Sequence, residues 1–166
     1  MIEHKFIVPE CYGDTALVEC LGYKNPNHKH GIGNVFNALE EKGLRDSKAI
    51  CIVDNDKAKS AKKKFASLLK LKTEGGLSLY QNPGSKHHII VIEPALEKWI
   101  LNCTQLVSIS PSEFGLPGDF DGFKSYIKTK NVDEKEPFIR FMRALRKASP
   151  QPMEILGSWI KELSEN

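Results

Sequence analysis

The 166-residue sequence lacks the features that mark several common classes of protein. Its four cysteines lie far apart with no Cys-x-x-Cys pair, which indicates neither a zinc site nor a disulfide framework. No segment reaches the roughly 18 apolar residues of a membrane span. The first residues lack an apolar stretch with a cleavage signal, and there is no P-loop motif, repeat or low-complexity tract. We therefore expect a cytoplasmic protein with reduced thiols and no membrane partner.

Charge of one sign is not in large excess either. The net charge of +3 is too small to indicate a nucleic-acid protein by itself. A hydrophobic fraction of 40% and a charged fraction of 27% are typical of a globular chain, and the length fits one domain. The positive charge is nevertheless uneven, because five lysines follow closely on a pair of aspartates. They are Lys57, Lys59, Lys62, Lys63 and Lys64.

Short apolar runs alternate with amphipathic segments along the chain, a pattern that predicts an α/β fold. Strands are expected at residues 5–9, 49–53, 77–80 and 88–92. Helices are expected to begin near Asp14, Asn34, Ala58, Leu96, Ser110, Glu136 and Pro152. The run at 88–92 is almost entirely β-branched, which favours a strand covered on both faces. The prediction is therefore a mainly parallel sheet flanked by helices, with a helical C-terminal extension.

Acidic residues follow two of the predicted strands. Glu10 comes after the first strand, and Asp54 and Asp56 come directly after the second. Ligands of open α/β sheets collect outside the carboxyl ends of the strands, so we expect these three carboxylates to meet at one edge. A hard cation such as Mg²⁺ or Mn²⁺ needs carboxylate oxygens close together. The sequence therefore predicts a divalent-metal site there.

These residues also carry a resemblance to a known family. Glu10-Cys11-Tyr12-Gly13-Asp14, Gly31-Ile32-Gly33-Asn34 and Asp54-Asn55-Asp56 resemble a TOPRIM domain, the nearest branch being the nucleases related to the overcoming-lysogenization-defect proteins. The resemblance covers roughly residues 4–103. It implies a Rossmann-like catalytic domain over residues 1–103, a C-terminal helical extension over 104–166 packed on the same domain, and Mg²⁺-dependent phosphoryl-transfer or nuclease chemistry on DNA or RNA.

The resemblance assigns roles residue by residue. Glu10 takes the place of the family glutamate, Asp54 and Asp56 that of the paired aspartates, and Asp14 that of the acidic residue four positions after the glutamate. Cys11 departs from the pattern, since the family usually has glycine there. The passage Ile92 to Trp99 is similar to the nuclease-type branch, in which further carboxylates serve a second metal. The carboxylates in that passage are Glu93 and Glu97.

The lysine run has two interpretations. It is either a solvated helix face or, beside a metal site, a surface for a phosphate backbone, where affinity comes largely from counterion release. Lys57 is the nearest cation to the predicted site and is expected to be catalytic, and under the second interpretation all five lysines, Lys57 included, bind nucleic acid. His28 and His30 lie in a loop from which they can reach a substrate.

Each acidic residue also has a plain structural interpretation. Aspartates cap helices and shape turns, so Asp14 is as well placed for an N-cap as for metal, and Glu97 can face solvent. Three hypotheses follow for the whole chain. The first is a metal-dependent nuclease, the second is a non-catalytic or partner-dependent module that works with a protein such as an ATPase, and the third is a metal-free α/β domain.

Overall fold

The computed structural model describes residues 4–166, and a five-stranded sheet forms its centre. The strands are Ile7–Pro9 (β1), Ala49–Asp54 (β2), Leu69–Glu74 (β3), Leu77–Gln81 (β4) and His87–Ile92 (β5). Their order across the sheet is β1-β2-β5-β4-β3. β2, β5 and β4 are therefore interior strands, and β1 and β3 form the two edges.

The sheet is mixed rather than mainly parallel. β1, β2 and β5 run parallel, whereas β4 pairs antiparallel with both β5 and β3. The reason lies in the connections. Gly75 and Gly76, with φ of 59° and 71°, form a two-residue turn between β3 and β4, and a turn this short joins only antiparallel strands. The expected α/β sheet with flanking helices is thus confirmed, and the expected pairing is corrected on one side.

Helices cover both faces of the sheet. They are Tyr12–Cys20 (α1), Ile32–Glu40 (α2), Asn55–Ser60 (α3), Lys62–Phe65 (α4), Leu96–Leu106 (α5), Phe120–Ile127 (α6), Glu136–Ala148 (α7) and Gln151–Glu165 (α8). Short 3₁₀ helices occupy Pro111–Phe114 and Val132–Glu134. Among residues 4–166, no helix is both long enough and apolar enough to cross a membrane.

Alternate residues of the interior strands enter two separate cores. Ile50 and Ile52 of β2 pack with side chains from α1, α5, α7 and α8, whereas Cys51 and Val53 pack with side chains from α2. Ile89 to Ile92 of β5 divide between the two cores in the same way. This alternation is what a strand with both faces covered requires. The larger core contains residues from both ends of the chain, from Ile7 to Ile160.

Two predicted helix starts lie elsewhere in the structure. Cys11, not Asp14, is the N-cap of α1, and Asp14 occupies the third helical position in a capping box with Cys11. The box needs only one hydrogen-bond acceptor at each end, so a cysteine can take the place of serine or threonine. Similarly, α2 begins at Ile32, after Gly31 with φ of 86°, rather than at Asn34.

The segment from Lys57 to Leu69 is not one amphipathic helix. It forms the short helices α3 and α4 and then enters β3, an edge strand whose residues are all exposed. Leu69, the first residue of β3, is 56% exposed. The Leu-Lys alternation of β3 has the two-residue period of a strand. Its lysines nevertheless made the segment look like a continuation of the preceding lysine-rich helix. The sequence also missed α6, and Ser110 precedes a single 3₁₀ turn rather than an α-helix.

Candidate functional site

A cleft of about 530 Å³ opens at the carboxyl ends of β1 and β2. The predicted site residues Glu10, Asp54, Asp56 and Lys57 all line it, and so does Glu97. The parallel pairing of β1 with β2 brings Pro9 opposite Ile52, so the residues that follow the two strands emerge side by side. This topology, rather than proximity in sequence, gathers the acidic residues at one place.

Glu10 is held by backbone hydrogen bonds to two neighbouring elements. Its N–H donates to the carbonyl of Ile52 at 3.0 Å, and its own carbonyl accepts from the N–H of Gly31 at 3.3 Å. The residue is only 4% exposed. Burial raises the pKa of its carboxyl group, the positive charge of Lys57 opposes that rise, and the negative charge of Asp54 adds to it. Burial therefore favours the neutral form of the Glu10 carboxyl group, and Lys57 favours its charged form.

Asp14 is completely buried. Its Oδ2 accepts a hydrogen bond from the Cys11 N–H at 3.2 Å, whereas its Oδ1 has no hydrogen-bond partner among the described residues. Burial raises the pKa of this carboxyl group well above the usual range, and the charges of Glu10 and Asp54 raise it further. An orphaned buried carboxylate oxygen is uncommon in proteins and calls for a partner.

Glu10, Cys11 and Asp14 bring ligand atoms within 4.8 Å of one another. Of these, Cys11 was not predicted as a ligand. Its Sγ accepts a hydrogen bond from the Asp14 N–H at 3.4 Å, and burial together with the nearby carboxylates raises the pKa of its thiol well above the usual range. Since the thiolate is the form that binds metals, the oxygen donors of Glu10 and Asp14 dominate this cluster. Oxygen donors favour a hard cation.

Asp54 links three elements through one carboxylate. Its Oδ1 accepts from the Asp56 N–H and caps α3, and its Oδ2 accepts from the Leu96 N–H at the start of α5, both at 3.1 Å. Burial raises the pKa of Asp54, while the two hydrogen bonds lower it. Each carboxylate oxygen has a second lone pair, so these bonds leave capacity for another ligand. Asp54 and Asp56 lie in the cleft but outside the 4.8 Å cluster.

The two further glutamates predicted for a second metal occupy different places. Glu97 lies in the cleft and is only 2% exposed, and its carboxylate is 3.8 Å from the ammonium group of Lys124. Glu93 does not line the cleft. Its backbone N–H instead donates to the carbonyl of Gly76 at 2.8 Å, next to the β3–β4 turn. The structure therefore brings Glu97 to the other acids and leaves Glu93 away from them.

The predicted nucleic-acid lysines do not act as a single group in the structure. Lys57 lines the cleft, together with Lys128, which the sequence did not suggest. Lys59, Lys62 and Lys63 are exposed outside the cleft, and the fifth lysine of the run packs over the ring of Phe36. Only the first lysine of the run is thus positioned to reach a group bound near Glu10.

Two histidines stand beside the cleft. His30 lines it, and its ring is 4.5 Å from that of His28 and 5.1 Å from that of Tyr12. The hydroxyl group of Thr15 donates its hydrogen to the Cys11 carbonyl at 2.9 Å. Thr15 Oγ1 therefore acts as the acceptor in its 2.8 Å contact with His28, and the donor is the Nδ1–H of the histidine. The Nε2 of His28 is then an acceptor without a partner among residues 4–166. Burial and His30 lower the pKa of His28, which favours the neutral ring.

Comparisons with known proteins add no assignment, because no family model, curated protein or solved structure matches the chain. The resemblance to TOPRIM domains therefore stays a prediction from the sequence motifs. What the structure adds to it is the cleft, with Glu10 and the Asp54-Asn55-Asp56 segment on its wall.

Proposed function

We propose that this protein is a Mg²⁺-dependent, TOPRIM-like nuclease or related phosphotransfer enzyme that acts on nucleic-acid phosphodiesters. One observation carries the proposal. Four carboxylates from two strand ends and two helices meet Lys57 in a single cleft at the carboxyl edge of a parallel strand pair. They are Glu10, Asp54, Asp56 and Glu97.

The residues present fit a divalent cation of the hard class. Burial raises the pKa values of Glu10, Asp14 and Asp54, so ionising these acids is costly without a cation close by, and a bound divalent cation would favour their charged forms. The unpartnered Oδ1 of Asp14 supports the same interpretation. Glu10 and Asp14 would hold the cation, with Asp54 and Asp56 contributing from the neighbouring strand. When bound, Mg²⁺ polarises a phosphoryl oxygen and lowers the pKa of a water molecule.

The basic residues of the cleft suit a phosphate group. Lys57 follows Asp56 directly and interacts electrostatically with Glu10, so its ammonium group can neutralise charge that develops on a phosphoryl oxygen. Lys128 adds a second positive charge. His30 contributes an imidazole in the same cleft, whose ring nitrogens can donate or accept a hydrogen bond. Together these residues would bind the phosphodiester and orient it.

The experiment that tests this proposal compares cleavage of labelled DNA and RNA by the wild-type protein and by Glu10→Gln, in EDTA and in Mg²⁺ or Mn²⁺. Glutamine keeps the size of the side chain and removes its charge. We expect metal-dependent cleavage that falls by roughly 100-fold or more in Glu10→Gln, with Asp46→Asn, a change at an exposed residue outside the cleft, as the matched control. Full metal-dependent cleavage by Glu10→Gln would refute the proposal.

One observation favours a second candidate, a binding module that acts alongside a protein partner such as an ATPase. Both oxygens of Asp54 already accept backbone hydrogen bonds, which is what a purely structural aspartate would do. Under this alternative the isolated protein binds nucleic acid but does not cleave it with any divalent cation. Cleavage would then require the partner, and copurification from the host would identify that partner.

A further inference from the structure

We infer that a groove beside the cleft, formed by the outer face of α5 and by Phe120, binds an unpaired nucleobase and thereby makes single-stranded nucleic acid the substrate class. The inference rests on the proposed function for the identity of the polymer. It concerns a surface that the sequence did not suggest, because α6 was not among the predicted helices.

Phe120 is a large aromatic side chain that the core does not use. It is 37% exposed at the first position of α6. The ammonium groups of Lys98 and Lys124 lie 5.7 Å and 5.9 Å from the centre of its ring. Both ammonium groups lie over the ring, so a base that stacks on Phe120 displaces them from the ring face. The displaced lysines can then contact the backbone, and stacking on a ring together with positive charge at the backbone is how proteins bind single strands.

A shallow depression of about 480 Å³ lies next to this ring. Its wall is one face of α5, formed by Lys98, by Leu101 and Asn102 one turn later and by Gln105 after a further turn, and Phe120 completes it. The side-chain amides of Asn102 and Gln105 are exposed, and neither makes a hydrogen bond to any described residue. Amides carry both donors and acceptors, which are the groups that recognise the edges of an unpaired base.

Helix α6 contributes residues to both the groove and the cleft, Phe120 to the first and Ile127 to the second. Phe120, Lys124 and Lys128 are four residues apart and so share one face of the helix. Lys128 lines the cleft that holds Glu10 and Lys57. Eight residues of helix span about 12 Å, which corresponds to about three or four stacked nucleotides. A strand with one base on Phe120 can therefore place a later phosphate beside the carboxylates.

Acidic residues near the ring do not oppose this arrangement. Asp119 is the N-cap of α6, and its Oδ1 accepts from the Gly122 N–H at 2.7 Å. Asp121 follows Phe120 directly but is exposed and does not line the groove. Lys124 also contacts the carboxylate of the buried Glu97, so of the two lysines at the ring Lys98 is the more available to contact a phosphate.

A duplex cannot offer a base to the groove, because its bases are stacked and paired.

The test measures binding in EDTA, so that it does not depend on cleavage. Fluorescence anisotropy compares a labelled single-stranded oligothymidylate with a duplex of the same length, for the wild-type protein and for Phe120→Ala, Phe120→Trp and Leu106→Ala. Leu106 is a matched control, since it is an apolar side chain 58% exposed on α5 and outside the groove.

We expect Phe120→Ala to weaken single-strand binding by roughly 5- to 150-fold and to leave duplex binding within about two-fold. Phe120→Trp should restore single-strand binding, and Leu106→Ala should not change it. The inference is overturned if Phe120→Ala binds the single strand as tightly as wild type, if both polymers lose affinity equally, or if the wild-type protein prefers the duplex.

The two proposals fail in different ways. If cleavage depends on Glu10 while Phe120→Ala binds normally, the groove assignment is wrong and the nuclease assignment stands. If Phe120→Ala loses single-strand binding but no metal supports cleavage by the wild-type protein, the groove is correct and the nuclease assignment is wrong.

Discussion

Asp54 at the end of β2 ties the first turn of α5 to the sheet, because its Oδ2 accepts a hydrogen bond from the Leu96 N–H at 3.1 Å. Leu96 itself is buried in the larger core. The same carboxylate caps α3 through the Asp56 N–H. One acidic side chain therefore fixes the relative positions of Asp56, which it caps, and Glu97, which follows Leu96. Both of these residues line the cleft.

This arrangement predicts a local structural cost for Asp54→Ala. The N–H groups of Leu96 and Asp56 would both lose their acceptor, which destabilises the folded protein. The variant would also no longer carry the cost of a partly buried charge at this position, and this gain would offset some of the loss. We expect the free energy of unfolding to fall by about 1 to 2 kcal/mol, with a clear loss of hydrogen-exchange protection at the Leu96 amide. Urea unfolding and amide hydrogen exchange measure these two effects.

Asp46→Ala is the control for this variant, since Asp46 is exposed and lies outside the cleft. It should change the free energy of unfolding by no more than about 0.5 kcal/mol. Unchanged protection of the Leu96 amide in Asp54→Ala would show that the hydrogen bond does not hold α5.

Asp14 predicts an unusual dependence of stability on pH in the absence of metal. Burial raises the folded-state pKa of Asp14 well above the ordinary value of 3.8 that the unfolded chain retains. Between these two values the folded protein retains a proton that the unfolded chain has released, so the free energy of unfolding falls as pH rises through this window and then levels off. Chemical unfolding at a series of pH values in EDTA measures the slope.

Asp14→Asn should remove the part of this slope that Asp14 contributes. Asparagine can still accept from the Cys11 N–H, and it carries no charge. We expect the variant to be more stable than wild type by about 1 to 3 kcal/mol at pH 8 in EDTA, with the difference shrinking toward pH 4. Added Mg²⁺ should stabilise wild type more than Asp14→Asn. Equal stability of the two proteins at every pH would contradict this account of Asp14.

Lys57 and Lys59 form a matched pair for testing the role of positive charge. Both are exposed lysines on α3, but only Lys57 lines the cleft. We expect Lys57→Gln to reduce metal-dependent cleavage by roughly 100-fold and Lys59→Gln to reduce it only slightly. Both changes should leave the free energy of unfolding within about 0.5 kcal/mol. Equal losses of cleavage would mean that the lysines act only by general attraction of phosphate.

The sequence predicted the strands of the sheet centre and the acids that follow them. Runs such as Ala49 to Val53 are apolar enough to be recognised as buried strands, and the acids at their ends follow from the chain alone. Their meeting in one cleft also needed the parallel pairing of β1 with β2, which the alternation of strands and helices favoured. Helix α7 was likewise predictable at both ends, Glu136 and Ala148.

Other features depend on tertiary contacts that no local pattern reveals. The lysines of β3 gave the segment the composition of a helix surface, although its Leu-Lys alternation has the period of a strand. The capping box of Cys11 with Asp14 uses a cysteine where sequence rules expect serine or threonine. The separation of Glu93 from Glu97 follows from the position of the β3–β4 turn, whose Gly76 carbonyl binds the Glu93 N–H.

The most direct test of the central claim is a crystal structure of the protein soaked in Mn²⁺, with anomalous data to locate the metal. The account predicts an anomalous peak in the cleft, within coordination distance of Glu10 and of at least one carboxylate among Asp14, Asp54 and Asp56. A cleft without such a peak, with Asp14 protonated and Asp54 serving only as a cap, would contradict it.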